Sequence, residues 1–199
     1  MSTPHQQHAT PCHQLSVPGI GCFDFYPPHA AHLPLIRQWV SAPRARFWGM
    51  QDHTPEQIDA VYLSQIASPH CQPYLLYCNG QPACLLESYD PAHDELGRFY
   101  AVQPGDRGMH FLVAPAAGAP VHGFTRAVLH AILQFLFSQP QVSRVVVEPD
   151  VNNDKIHPLN RAAGFRYLHT VTLPCKTAWF AVCERHDYQT HALSMESHA

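Results

Sequence analysis

The chain has 199 residues, of which 46% are hydrophobic, and a formal charge of -3 at neutral pH. That length fills one core and leaves little for a second, and the apolar content excludes wholesale disorder. The small negative charge, with no basic run, excludes long-range attraction to nucleic acid or anionic lipid.

In chain order, residues 1–15 are polar and bear prolines and histidines, so a loose N-terminal tail is expected, with a second one over 189–199 and a single domain over 16–188. A helix is predicted over about His32 to Ser41, carrying Leu35, Ile36, Trp39 and Val40. Another starts at Thr54, with Pro55 in its first turn and Glu56 and Asp59 near the positive end of its dipole. Its buried stripe is Ile58, Val61, Tyr62 and Ile66. Strands Pro73–Cys78 and Ala83–Tyr89 flank Asn79-Gly80, a hairpin turn signal, with Gln81-Pro82 lengthening the loop. Met109 to Ala114 is a short apolar run, and Phe124 to Ser138 is the clearest helix, with Phe124, Val128, Ile132, Phe135 and Leu136 on one face. Arg144 to Glu148 reads as a buried strand, and Phe165–Leu173 with Ala178–Glu184 as a closing antiparallel pair. Together these predict an α/β protein: a mixed sheet with helices packed on both faces.

No stretch approaches the roughly 20 apolar residues of a membrane span. The start, Met1-Ser-Thr-Pro-His, lacks the basic-then-apolar order of a secretory signal, so a cytoplasmic address is expected. None of the seven cysteines forms a Cys-x-x-Cys pair, and most read as reduced, small buried hydrophobes. Of the 16 histidines, His5, His8 and His13 crowd one end and His29 and His32 stand three apart. No His-Glu-x-x-His occurs and no Cys/His quartet has zinc spacing, so scattered surface histidines without a metal are the expectation.

The chemistry concentrates in Gly108-Met-His-Phe-Leu-Val-Ala-Pro115 and the following Ala116-Ala-Gly-Ala-Pro-Val-His-Gly-Phe-Thr125. A strand, a glycine-bearing loop and a helix start present unpaired backbone N–H groups that hold phosphate oxygens. Gly118 and Gly123 allow close approach or positive φ. Beyond the helix come Arg144-Val-Val-Val-Glu-Pro-Asp150, the turn Val-Asn-Asn-Asp-Lys-Ile-His157 and Pro-Leu-Asn-Arg-Ala-Ala-Gly-Phe165. His110 interrupts an apolar strand; Met109, Phe111 and Val113 should face away from His110 and Leu112. A near-neutral imidazole there can take a proton, although from the residues alone a satisfied half-buried histidine is the simpler account.

This order of strand, loop, helix, strand, Asn-rich turn, short helix and Gly-Phe resembles the GCN5-related N-acetyltransferases over roughly Pro73 to Glu184. The resemblance implies two neighbouring parallel strands that splay apart to admit the pantetheine arm of acyl-CoA like an added strand. It implies an acyl-CoA co-substrate, acetyl or succinyl, with no permanently bound cofactor. The implied contacts are Phe111, Leu112, Val113, Gly118, Val121, Gly123, Phe124, Thr125, Asn153, Lys155 and Asn160. The loop departs from the family's Gln/Arg-x-x-Gly-x-Gly/Ala pattern, because Pro120 and His122 lie between Gly118 and Gly123.

Pro43-Arg-Ala-Arg-Phe-Trp-Gly-Met50, Leu85-Leu-Glu-Ser-Tyr-Asp-Pro91, Val102-Gln-Pro-Gly-Asp-Arg-Gly-Met-His110 and Val147-Glu-Pro-Asp150 narrow the resemblance. They are similar to the siderophore branch, which acylates N-hydroxylated lysine or diamines: the aerobactin, mycobactin, alcaligin and desferrioxamine types. That likeness implies His110 and Asp150 as catalytic residues and Arg46, Trp48 and Glu87 as substrate contacts. Glu87 would meet a distal ammonium; Arg46, Arg98 or Arg107 would meet a succinyl carboxylate. Asp150, beyond Pro149, reads equally well as a turn cap, and Trp48 as core packing. The implied partners are the N-hydroxyamine, acyl-CoA and the monooxygenase and synthetase of the same pathway. The competing expectation is an acetyltransferase of another small amine or of a protein N-terminus.

Overall fold

Each predicted strand and helix from residue 32 onward is present in the computed structural model, which describes residues 10–116 and 118–189. In chain order the elements are β1 (His13–Val17), β2 (Gly21–Tyr26), α1 (Leu33–Val40), α2 (Pro55–Ala67), β3 (Cys71–Cys78), β4 (Gln81–Tyr89), β5 (Asp106–Val113), α3 (Phe124–Ser138), β6 (Arg144–Val147), α4 (Ile156–Ala162), β7 (Arg166–Thr172) and β8 (Thr177–Glu184). The eight strands form one sheet in the order β1-β2-β3-β4-β5-β6-β8-β7. Only β5 and β6 pair in parallel; all other neighbours are antiparallel.

Local chemistry explains the elements. Thr54 and Gln57 form a reciprocal cap on α2 (Gln57 N to Thr54 Oγ1, 3.3 Å; Thr54 N to Gln57 Oε1, 2.8 Å) with Pro55 in the first turn. Asn79 and Gly80 both take positive φ, 50° and 75°, which the two-residue turn between β3 and β4 requires. Pro82 belongs to the strand instead of the loop. The register shifts there from Leu76↔Cys84 to Tyr77↔Pro82, and a bulge tolerates the missing N–H.

The β1–β2 hairpin was not predicted, and β1 occupies residues 13–15 of the expected tail. Leu15 and Val17 pack on the core, and the His13 ring lies 5.3 Å from Phe25 and 5.2 Å from Phe135, with Nε2 2.7 Å from Gln134 Oε1. Residues 1–9 and 190–199 of the expected tails lie outside the described residues.

Alternation along the strands divides the core between the two faces. Leu76, Cys84, Leu86, Met109, Val145 and Val147 pack with Val128, Ile132 and Leu136 of α3. Leu75, Tyr77 and Leu85 pack on the opposite side with Ile36 and Val40 of α1 and Ile58 and Tyr62 of α2, with Leu112 against them. Of the cysteines, Cys78, Cys84 and Cys183 are buried as expected, whereas Cys12 and Cys175 are exposed. Among the described residues no helix is long and apolar enough to cross a membrane.

Candidate active site

The sheet opens at its one parallel junction. β5 and β6 pair only through Asp106↔Arg144, Arg107↔Val145 and Gly108↔Val146. A half-buried bidentate ion pair pins that base, Arg144 Nε to Asp106 Oδ1 at 2.7 Å and Nη2 to Oδ2 at 2.8 Å. Beyond it β5 runs on beside β4 to Val113, while β6 ends and the chain follows β8 through Trp179 N to Pro149 O (2.9 Å) and Val151 N to Thr177 O (3.0 Å). Pro149 has no N–H with which to continue a ladder.

The gap leaves specific amides unpaired. Ala114 N donates to Ala83 O at 2.8 Å, so by two-residue alternation the amides of Leu112 and His110 face β4 and those of Phe111 and Val113 face the gap. Arg44, which the sequence reading did not single out, reaches in to donate to Val113 O at 2.6 Å. A cavity of about 700 Å³ fills this region.

On its floor lies an ionic cluster. His110 Nδ1 stands 3.2 Å from Glu87 Oε2, and Nε2 makes a short contact with Glu148 Oε1. Glu148 Oε2 accepts from the Tyr89 hydroxyl at 2.9 Å, and Lys176 Nζ lies 3.4 Å from Oε1. Gln65 Nε2 donates to Glu87 Oε1 at 3.2 Å. Glu87 and Glu148 are both buried. Burial alone would lower the His110 pKa, but Glu148 and then Glu87 outweigh it and raise it to about 10. Burial would likewise lift Glu148, yet the His110 imidazolium, with Lys176 and Tyr89, draws it down to about 2. The two carboxylates thus favour the protonated ring, where the sequence suggested a near-neutral imidazole.

Gly108 makes room for this arrangement. A Cβ there would sit 2.1 Å from Cε2 of Tyr89, whose ring crosses the strand to reach Glu148. The glycine of the Asp-Arg-Gly-Met-His string is thus a packing requirement two residues from the histidine.

Several expected residues meet in the cavity: His110, Asp150, Arg46, Trp48, Glu87, Phe111, Leu112, Asn153, Lys155 and Asn160 all line it. Asp150 lines it with its Oδ1 accepting from Asn152 N at 2.7 Å, as in a turn cap, and the carboxylate against Nε2 of His110 is that of Glu148. Glu87 accepts from Gln65 and lies against His110. Trp48 donates through Nε1 to the Tyr62 hydroxyl at 3.0 Å, with its ring 6.3 Å from His110. Asn160 is buried, and among the described residues its Oδ1 has no partner. Val113, Gly118, Val121, Gly123, Phe124 and Thr125 do not line this cavity. Gly123 caps α3 with φ of 75°. Arg98 and Arg107 border other hollows.

Glu148, Tyr89, Lys176 and Gln65 went unrecognised in the sequence. Glu148 belongs to Val147-Glu-Pro-Asp150, and the register Gly108↔Val146 carried two residues on sets it opposite His110.

A mixed sheet flanked by helices and split beside such a cluster is the architecture of an acyltransferase. Residues 29–173 match the model of the acetyltransferase (GNAT) domain, and the chain belongs to that family. It is 29% identical over 156 residues to N(6)-hydroxylysine O-acetyltransferase of Escherichia coli, covering 77% of this chain and 49% of that protein, so it spans about half the length of that relative. It is 27% identical over 158 residues to N-hydroxyputrescine acetyltransferase of Acinetobacter baumannii, covering 78% of this chain and 74% of the other. Among solved structures, aminoglycoside acetyltransferase AAC(6′)-Ib in complex with ribostamycin and coenzyme A superposes with a TM-score of 0.74 at 23% identity, over 84% of this chain and 96% of that one. That likeness concerns the fold.

Proposed function

We propose that this protein transfers an acetyl or succinyl group from acyl-CoA to the N-hydroxylated nitrogen of a diamine or lysine, as a step in hydroxamate siderophore assembly. The observation that carries the reading is His110 held between two buried carboxylates. An imidazolium cannot deprotonate an alkylammonium, whose pKa lies near 10. An N-hydroxyamine is far less basic and arrives neutral at pH 7, so it needs no such base. Its nitrogen lone pair attacks the thioester carbonyl, and an amide facing the gap, Phe111 or Val113, stabilises the oxyanion. Collapse breaks the C–S bond. The His110–Glu148 pair supplies a proton to the departing thiolate and recovers one from the acylated nitrogen, so it ends as it began.

The remaining roles follow from position. The pantetheine arm lies along the open edge of β5, and the unpartnered Oδ1 of Asn160 suits one of its amide N–H groups. Asn153 and Lys155, which line the cavity, are assigned to the cofactor as well, and the loop bearing Gly118, Val121 and Gly123 with the α3 start at Phe124 and Thr125 is assigned to its pyrophosphate. Arg46 offers a cation to a succinyl carboxylate. Trp48 walls the amine side, and Asp150 receives a distal ammonium. An N-hydroxylation by a monooxygenase would supply the substrate and a condensing synthetase would consume the product, and we assign the reaction to the cytoplasm, where acyl-CoA is available.

The second reading, acylation of another small amine such as an aminoglycoside, is favoured by the four carboxylates of the cavity, Glu87, Glu148, Asp150 and Asp154. Thiol release measured with acetyl- and succinyl-CoA against N-hydroxyputrescine, N-hydroxylysine, their parent amines and kanamycin separates the two. The proposal expects the N-hydroxylated member of each pair to be preferred at least a hundredfold in kcat/KM. Equal use of the parent amines, or preference for kanamycin, contradicts it.

A further inference from the structure

We propose that His70, Asp90 and His93 form a binding site for a divalent transition-metal ion of the zinc or nickel type, on the surface beside the end of β4. One ligand atom from each residue lies within 4.8 Å of the other two. His93 Nδ1 stands 2.9 Å from Asp90 Oδ2, and His70 Nδ1 faces the same oxygen at 3.9 Å. The second distance is beyond hydrogen-bond reach, so His70 aims a nitrogen at the carboxylate without bonding to it. The two rings stack face to face, 3.5 Å apart and 13° from parallel. Ion binding would replace the His93–Asp90 hydrogen bond with metal bonds and turn the two rings out of this stack, so that both Nδ1 lone pairs reach the ion.

The donors are held in place by the backbone. Asp90 Oδ1 accepts from Ala92 N at 3.0 Å, which turns Oδ2 toward the histidines. Asp90 N donates to His70 O at 2.7 Å and His93 N to Asp90 O at 3.0 Å, closing the ligand-bearing segments on one another. Two imidazole nitrogens and one carboxylate oxygen form a donor set suited to zinc and its neighbours. Their partial exposure leaves further coordination positions to solvent or a small ligand. His29 and His32, the pair three apart in sequence, differ: each Nδ1 accepts from a backbone N–H. Arg107, which borders the adjoining hollow with Asp90, opposes a cation and weakens the site. Asp90 directly follows Tyr89, whose hydroxyl holds Glu148, so an ion here ties the end of β4 to the start of β3 beneath the reacting cluster.

The test is titration of the tag-free, chelator-stripped full chain with Zn²⁺ by calorimetry and with Co²⁺ by visible absorption. His5 and His8 offer other imidazoles, so H5A/H8A is the comparison for H70A/H93A. One equivalent should disappear in H70A/H93A and persist in H5A/H8A. Asp90→Asn, which keeps the oxygen facing Ala92, should weaken binding at least tenfold. Zn²⁺ should raise the thermal midpoint of the wild type and not of H70A/H93A. Equal stoichiometry and affinity in wild type and H70A/H93A, or no binding by the wild type, overturns the proposal.

Discussion

His110 takes its character from its neighbours. An isolated histidine would titrate near 6.5; two carboxylates against its ring hold the proton on it far above that value. Glu148→Gln should therefore bring the His110 pKa down, and the alkaline limb of the activity profile should move to lower pH. A rate-versus-pH series with one N-hydroxyamine checks this, and an unmoved limb would remove Glu148 from the account. His110→Ala should lower kcat by roughly 10²- to 10⁴-fold with CoA affinity nearly intact, measured by steady-state kinetics beside CoA titration. His110 was legible as a polar break in an apolar strand. Its partner was not, because the choice between Glu148 and Asp150 depends on how β5 and β6 align, which neither strand's composition reveals.

At the scale of elements, the site exists because β5 and β6 are joined at one end and released at the other. The Asp106–Arg144 pair makes the joint, with the Asp106 side chain 1% exposed and that of Arg144 11%. Asp106→Asn leaves the half-buried guanidinium without its bidentate partner and should cost roughly 1.5–3 kcal/mol in a urea unfolding series. Gly108→Ala drives a methyl into the Tyr89 ring. Overpacking of this kind should cost about 1–3 kcal/mol, and turnover should fall with it. If Gly108→Ala keeps full turnover, the Tyr89–Glu148 contact has no part in catalysis. Helices α2 and α3 were readable from capping residues and apolar period. The β1–β2 hairpin was not, because its strands are only five and six residues long and directly follow a polar, proline- and histidine-bearing segment whose composition masks their alternation.

For the molecule as a whole, the buried ionic cluster ties folding to pH. His110 is raised from 6.5 to about 10. Its contribution to stability is complete below the unfolded value and disappears as pH rises through the folded one. Glu148 is lowered from 4.5 to about 2, so its contribution is present above 4.5 and disappears as pH falls through about 2. The unfolding free energy of the wild type relative to His110→Gln should accordingly shrink between pH 6.5 and pH 10. The mixed sheet was legible as a class, since the spacing of strands and helices implies it; the opening beside a charged floor needed the three-dimensional register. The most direct test is the titration of the His110 ring by ¹³C and ¹⁵N NMR in the free enzyme, assigned with His110→Gln. The account predicts a ring still doubly protonated at pH 8, with both nitrogens bound to hydrogen. A ring that titrates at or below 6.5 would contradict it.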